Sequence, residues 1–385
     1  MKLEHTQTIF LVKMTLNRVL PSALLTTIPL FVCALNQRAV SADCIDLQSE
    51  GLRGSGSGLV ANERFLAIDN NLANLIVVYR RTSQRKWTRL RTIALPPNPP
   101  IANPSNNFGY GVTLKLAISG DKLVIGKVVS KMRPGSQEEA LYPYKPPAEN
   151  GMAYAGAVYR TSLTSNSPLE RIDRPKDKEL AGLSVAADGG KIAFSVDTYD
   201  SKSPGYVTVI SGTRRYSLAA NGEIAMKKNL LVVGSTTSTQ QGKLAIFNLA
   251  DTTPSPRNLA IPIPVREIAI ADKYIVVAEQ LFNQFARTNR NIATLFVNIA
   301  DLSITSVDGF GKISTYGNKL VRSYPSTADN ESIGKIELFN LGTMPPKLLG
   351  SRKADIRRSF LAKDYLFTVE DRDSNSMICI TSSSE

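Results

Sequence analysis

Histidine is almost missing from this sequence. The single copy among 385 residues is His5. The rest of the chain therefore offers no imidazole for Ser-His or Cys-His nucleophilic chemistry, or for a His-ligated metal. Cysteine is nearly as scarce, with three copies (Cys33, Cys44 and Cys379), too few for a four-cysteine zinc site. Tryptophan occurs once, as Trp87. No phosphate-cradling glycine loop and no Gly-x-Ser-x-Gly elbow is found, so no motif asks for a cofactor. Beyond the N-terminal region no uninterrupted apolar run reaches the roughly 18 residues of a membrane-spanning helix. What is present reads as globular: 43% apolar residues, 21% charged, 25 Gly and 21 Pro. That is enough apolar material for a sizeable core and too much for a disordered chain.

The N-terminus reads as an export signal. Arg18 precedes an apolar stretch from Val19 to Leu35, and Asn36-Gln37-Arg38 leads to the small-residue site Val40-Ser41-Ala42. Cleavage after Ala42 is expected, giving a signal peptide at 1–42, with Met14 an alternative start. An uncleaved anchor is the other reading, but Pro21, Pro29 and several threonines make a poor bilayer span. A lipid anchor on Cys33 would need a small residue where Val32 stands. Removal of the segment leaves Cys44 and Cys379, and an even cysteine count in an exported chain suggests a disulfide. Losing Lys2, Lys13, Arg18 and Arg38 together with Glu4 takes the net charge from +13 to +10. A basic surface favours anionic partners. A protein or an anionic polysaccharide is expected as ligand; nucleic acid is not.

One pattern recurs seven times: a short apolar strand, a tight polar turn and a second, more hydrophobic strand. It appears at 58–69, 116–126, 183–196, 224–234, 268–278, 313–324 and 360–370. Each hairpin is followed by an alternating third strand (75–81, 155–163, 205–211, 242–250, 292–300, 333–341 and 376–382). After most of these comes a weaker, polar segment such as 87–93 or 214–218. The turns carry Gly, Asn, Asp or Lys, as hairpin loops do. Runs such as Leu123-Val124-Ile125 are apolar on consecutive residues, so both faces of the strand need cover, which radially packed blades supply. Four strands repeated about seven times in the 343 residues after Ala42 give about 49 residues per unit, within the propeller range of roughly 40–50. The expected fold is all-β, a seven-bladed β-propeller over 43–385.

The last unit runs out of chain after its third strand. Cys44-Ile45-Asp46-Leu47 precedes the first unit's own strands and is free to supply the missing outer edge beside Met377–Ile380. That pairing would bring Cys44 to Cys379, within the Cα separation a disulfide requires, and close the ring.

Residues 108–126 and 156–159 resemble the FG-GAP repeat of integrin α-subunit-type propellers. Phe108-Gly109-Tyr110-Gly111-Val112 precedes Ser119-Gly120-Asp121-Lys122-Leu123-Val124-Ile125-Gly126, and Gly156-Ala157-Val158-Tyr159 follows. A fainter copy runs from Phe310-Gly311 through Gly317-Asn318-Lys319-Leu320-Val321 to Ser323-Tyr324-Pro325. Lys127-Val128 replaces the family's Ala-Pro ending, and its acidic calcium loop is missing. The resemblance implies a propeller and an extracytoplasmic binding role, without calcium.

Candidate sites are sparse. Asp371, Asp373 and Asn375 alternate like the start of a calcium loop, but Ser376 stands where the glycine belongs, which favours a hairpin turn. Arg80, Arg81, Arg85, Lys86, Arg89 and Arg91 surround Trp87. They form either an anion-binding strip with an aromatic platform or, as favoured here, a charged outer edge with Trp87 packed inward. In a four-stranded blade the second-to-third-strand loops share a face with the connections between blades. The long loops 127–154 and 279–291 and the connection 95–107 all belong to that face, where binding residues gather. The candidates are Tyr142, Tyr144 and Lys145, with Phe282, Phe285, Arg287 and Arg290. Packing of their own loops is the equal alternative. The expected function is non-enzymatic recognition or scaffolding. A glycosidase with two carboxylates in the central pit is the second reading, and an assembly subunit holding partners by its blade edges the third.

Overall fold

The computed structural model describes residues 43–50, 52, 58–70, 73–83, 86–97, 109–132, 155–174, 179–198, 205–237, 241–279, 293–324, 334–353, 356–372 and 375–382. The expected signal segment 1–42 lies outside them. Among the described residues there are twenty-eight strands and no helix, so none long and apolar enough to cross a membrane.

The strands form seven four-stranded antiparallel sheets, each ordered as the chain runs, from the ring axis outward. The first strand of the chain, β1 (Asp43–Asp46), is the exception described below. Blade 1 is β2 (Leu59–Ala61), β3 (Phe65–Asn70), β4 (Leu75–Arg81) and β5 (Trp87–Ala94). Blade 2 is β6 (Gly109–Ser119), β7 (Lys122–Met132), β8 (Ala155–Ser162) and β9 (Glu170–Arg171). Blade 3 is β10 (Glu179–Asp188), β11 (Lys191–Thr198), β12 (Tyr206–Ser211) and β13 (Arg214–Leu218). Blade 4 is β14 (Glu223–Lys227), β15 (Leu230–Thr236), β16 (Gly242–Asn248) and β17 (Arg257–Ile261). Blade 5 is β18 (Glu267–Ile270), β19 (Tyr274–Ala278), β20 (Ala293–Asn298) and β21 (Ile304–Asp308). Blade 6 is β22 (Lys312–Tyr316), β23 (Lys319–Tyr324), β24 (Lys335–Asn340) and β25 (Lys347–Lys353). Blade 7 is β26 (Ile356–Ala362), β27 (Tyr365–Arg372) and β28 (Asn375–Ser382), completed on its outer edge by β1. In that closure Cys44 stands opposite Cys379 and Ile45 opposite Ile378. The Cys44–Cys379 disulfide joins the ends across a Cα separation of 4.1 Å.

Second strands such as β7 and β15 are buried on successive residues because a neighbouring blade covers each face. An apolar core fills every seam of the ring. The closing seam is sealed by Leu59, Leu66 and Trp87 of blade 1 against Phe367, Val369 and Ile380 of blade 7.

The first hairpin of every blade closes on two residues: 63–64, 120–121, 189–190, 228–229, 272–273, 317–318 and 363–364. Gly189 and Gly190 sit at φ 54° and 79°, the paired left-handed conformation of a type I′ turn. These turns are tied to one another around the ring. Asn62 Nδ2 donates to Gly120 O (2.7 Å), Gly190 N to Ser119 Oγ (3.1 Å) and Lys228 N to Asp188 Oδ2 (2.6 Å). Lys227 pairs with Asp272 (2.8 Å), and Asp272 N donates to Gly317 O (2.9 Å). Tyr316 and Lys363 both reach Glu63, at 3.4 and 3.3 Å. The short-turn face is thus one continuous polar rim.

One expected boundary is corrected. The second blade's long loop does not begin at Lys127, because Lys127–Met132 continues β7 in register with β6. Val128 and Val129 are buried, Val128 against Leu180 and Leu183 of the next blade, so this extension has a partner and stays in the sheet.

Candidate functional site

The long-loop candidates Tyr142, Tyr144, Lys145, Phe282, Phe285, Arg287 and Arg290 lie outside the described residues, as do Arg85 and Asp373. The described residues do show the feet of those loops. Lys127 is buried within β7, whose end at Met132 leads toward the second blade's loop, its ammonium donating to Pro96 O and its pKa lowered by burial. At the foot of the fifth blade's loop Glu279 is buried, and its carbonyl accepts from Gly311 N (3.1 Å).

Blade 6 departs from the repeat beneath this face. Strand register places Arg322 level with Ile68, Ile125, Phe194, Val233, Val277 and Thr368 of the other blades. The guanidinium, 4% exposed, is held by Glu337 directly opposite on β24, with Nε and Nη2 at 3.0 and 2.7 Å from Oε2. Nη1 donates to Thr294 Oγ1 (2.9 Å), Tyr324 Oη to Glu337 Oε2 (2.8 Å) and Lys335 Nζ to Glu337 Oε1 (2.6 Å). Burial pushes the Glu337 carboxyl up, but hydrogen bonds from Lys335, Arg322 and Tyr324 outweigh it and hold the pKa below the usual range. Burial raises the Tyr324 phenol. Phe310 meets Tyr324 edge-on at 5.3 Å. Gly311, at φ 135°, lies where a Cβ would run into the Ser323 carbonyl. The Phe310-Gly311 pair is therefore a tight entry into blade 6, and a buried ion-pair network stands behind it.

The basic strip around Trp87 takes the packed form. Trp87 is buried, edge-on to Phe367 (5.3 Å) and Tyr365 (6.4 Å) of blade 7. Arg81 lies over the Tyr365 ring (4.5 Å), Arg89 pairs with Glu50 (3.0 Å), and Arg91 reaches the Thr161 hydroxyl (3.1 Å) in blade 2. These side chains fasten neighbouring blades. At the 371–375 turn, Asp371 faces Ser376 and Arg372 faces Asn375 across a paired hairpin. Among the described residues no three Asp, Glu, Cys or His side chains converge closely enough to hold a metal ion.

The central channel carries two carboxylates at one level of the inner strands, Glu223 on β14 and Glu267 on β18. Glu223 accepts from Lys115 Nζ (3.2 Å) and from Ser184 Oγ (2.9 Å), so neighbouring blades meet at this carboxylate.

No protein-family model matches the chain, and no curated protein does. Solved structures share its fold. The WD40 domain of Pan2 from Neurospora crassa aligns over 88% of this chain and 93% of its own, with a TM-score of 0.53 at 9% identity. The β-propeller domain of the Trilobed protease from Pyrococcus furiosus covers 70% of this chain and 84% of its own (TM-score 0.46, 11% identity). A functionally unknown protein from Desulfotomaculum acetoxidans covers 84% and 93% (TM-score 0.47, 11% identity). At such identities the first likeness speaks to architecture alone. Together with seven complete four-stranded sheets, it makes this chain a seven-bladed β-propeller.

Proposed function

We propose that this chain works outside the cytoplasm, after removal of residues 1–42, as a non-enzymatic recognition propeller. Its long-loop face binds a protein or an anionic polysaccharide. The observation that carries this reading is the inequality of the two faces. Seven two-residue turns are laced into one rim on one side, while the chain between Met132 and Ala155 and between Ala278 and Ala293 is left for long connections on the other. Variable loops on a rigid scaffold are where recognition residues gather. The Cys44–Cys379 disulfide supports an oxidising compartment. The FG-GAP resemblance supports the same setting, and the glycine entry at Phe310-Gly311 suits it.

A glycan array carrying uronate and sulfated oligosaccharides, probed with residues 43–385, tests the ligand class, with turnover measured on every hit. Tyr142→Ala with Tyr144→Ala should weaken binding about tenfold or more, the loss of one or two aromatic contacts at about 1.4 kcal/mol per factor of ten. The melting temperature should not change. Unchanged affinity in the double variant would remove these loops from the binding face.

A further inference from the structure

The outer edges of the blades are not alike. β5 carries buried Trp87 and Ile93, β13 ends on buried Leu218 and β17 on buried Ile261. β25 hides none of its seven residues, Lys-Leu-Leu-Gly-Ser-Arg-Lys. Leu348 and Leu349 stand side by side on it, each 47% exposed, the two most exposed large apolar side chains among the described residues. A Cβ added at Gly350 would meet nothing within 4 Å, so the space beside the strand is open at that point.

Strand register shows how the edge is laid out. Phe339 faces Leu348 and Leu338 faces Gly350, so Leu349 is the extra residue of a β-bulge. Alternation sorts the rest onto the two faces of the blade. Leu348 and Lys353 share the face of Phe339, which packs toward blade 5. Lys347 and Arg352 share the face of Leu338 and Ile336, toward blade 7, where Arg352 pairs with Glu370. Lys347 and Lys353, at the two ends of the strand, have no carboxylate partner among the described residues. Lys353 stands opposite Lys335, whose own ammonium is held by Glu337. The edge is thus a short apolar centre between two uncompensated cations.

An edge strand presents a row of unpaired backbone N–H and C=O groups, and lysines and bulges commonly guard such a row. Guarding alone explains the lysines and the bulge, and it leaves the two bare leucines between them unexplained. We propose that β25 is a docking edge that takes an extended acidic segment of another protein as a fifth strand of blade 6. The incoming backbone pairs with the open row of β25, its acidic side chains meet Lys347 and Lys353, and its apolar ones cover Leu348 and Leu349. A second copy of this chain is the poorer occupant. Antiparallel self-pairing centred on Gly350 sets each Lys347 opposite the other copy's Lys353, and like charges directly opposite are destabilising. The edge stands apart from the loop-face reading, because it belongs to a strand of the ring and binds through backbone as well as side chains.

A phage-displayed library of random peptides of about ten residues, long enough to span the strand at about 3.3 Å per residue, selected on residues 43–385, supplies the probes. Peptides should emerge with acidic residues on both sides of an alternating apolar run, and their affinity, read by fluorescence anisotropy, should fall with salt. Lys347→Glu with Lys353→Glu should weaken them about tenfold or more, and so should Leu348→Thr with Leu349→Thr. All four positions are exposed, so the melting temperature should hold. N-methylation of alternate peptide nitrogens removes N–H donors and keeps the side chains, and in one of its two registers it should abolish binding. Tyr142→Ala with Tyr144→Ala should leave these peptides bound, which separates the edge from the loop face. An empty selection, peptides that bind both edge variants as tightly as wild type, or peptides that tolerate N-methylation in both registers overturn the proposal. Self-association of the free protein that the leucine pair abolishes would give the edge to a second copy and overturn it equally.

Discussion

Arg322 shows how much one residue can depart from a repeat that otherwise sets its surroundings. Six blades place Ile, Phe, Val or Thr at its level, and blade 6 places a guanidinium there whose partner Glu337 is also buried. Removing one member of a buried pair leaves the other charge stranded, at about 3–5 kcal/mol, whereas replacing both with apolar residues is often near neutral. Arg322→Met should therefore destabilise by about that amount in urea, and Arg322→Met with Glu337→Met should recover most of it. The lowered carboxyl pKa adds a pH signature. A depressed carboxylate contributes stability above its unfolded pKa and loses it as the pH falls through the folded value. Wild type should thus lose more stability on acidification than the doubly substituted protein. None of this was legible in the sequence. In Leu320-Val321-Arg322-Ser323-Tyr324 the arginine passes for the outward residue of an alternating strand. The level shared by Lys115, Glu223 and Glu267 was hidden for a related reason. Each is a polar residue within or beside an apolar run, and only strand pairing shows that they share a height.

Hairpins were the legible elements, because two physical demands leave marks in neighbouring residues. A two-residue turn needs left-handed backbone, hence Gly120, Gly189-Gly190 and Gly317, and a second strand covered on both faces needs consecutive apolar residues. The outer strands were harder, since a solvent-facing edge tolerates almost any polar sequence. β9 spans two residues, and β25 is exposed along its whole length. The strand at 87–94 is the informative case. Its basic residues read equally well as an anion platform, and the choice turned on where Trp87 pointed. Trp87→Ala should destabilise by about 3–5 kcal/mol through lost contact with Tyr365 and Phe367. Trp87→Phe should cost less, because it keeps a ring in the seam and removes an indole N–H that has no hydrogen-bond partner. Chemical denaturation of both variants decides this. Equal losses would mean that the indole itself is needed.

At the scale of the whole molecule the chain ends govern integrity. The missing outer strand of the last unit was legible as a deficit, and Cys44 was legible as the residue able to meet Cys379. The register of Asp43–Asp46 against Met377–Ile380 follows from that meeting. In the chain-entropy account, linking residues 335 apart stabilises by about 5–6 kcal/mol, an upper figure. Reduction, or Cys44→Ser with Cys379→Ser, should lower the melting temperature while leaving the far-ultraviolet circular dichroism of the cold protein unchanged. The β1–β28 ladder and the apolar closing seam persist without the sulfur bridge. Loss of the β signal at low temperature would instead make the covalent link a condition of folding. This closure also sets an order in time. Synthesis delivers β1 before β28, so β1 waits without its neighbour until β28 emerges. During that wait Asp43 and Asp46 put negative charge on an unpaired edge, the kind of residue that discourages adhesion to the wrong strand. Of the propeller's strands, the earliest made is the last one seated.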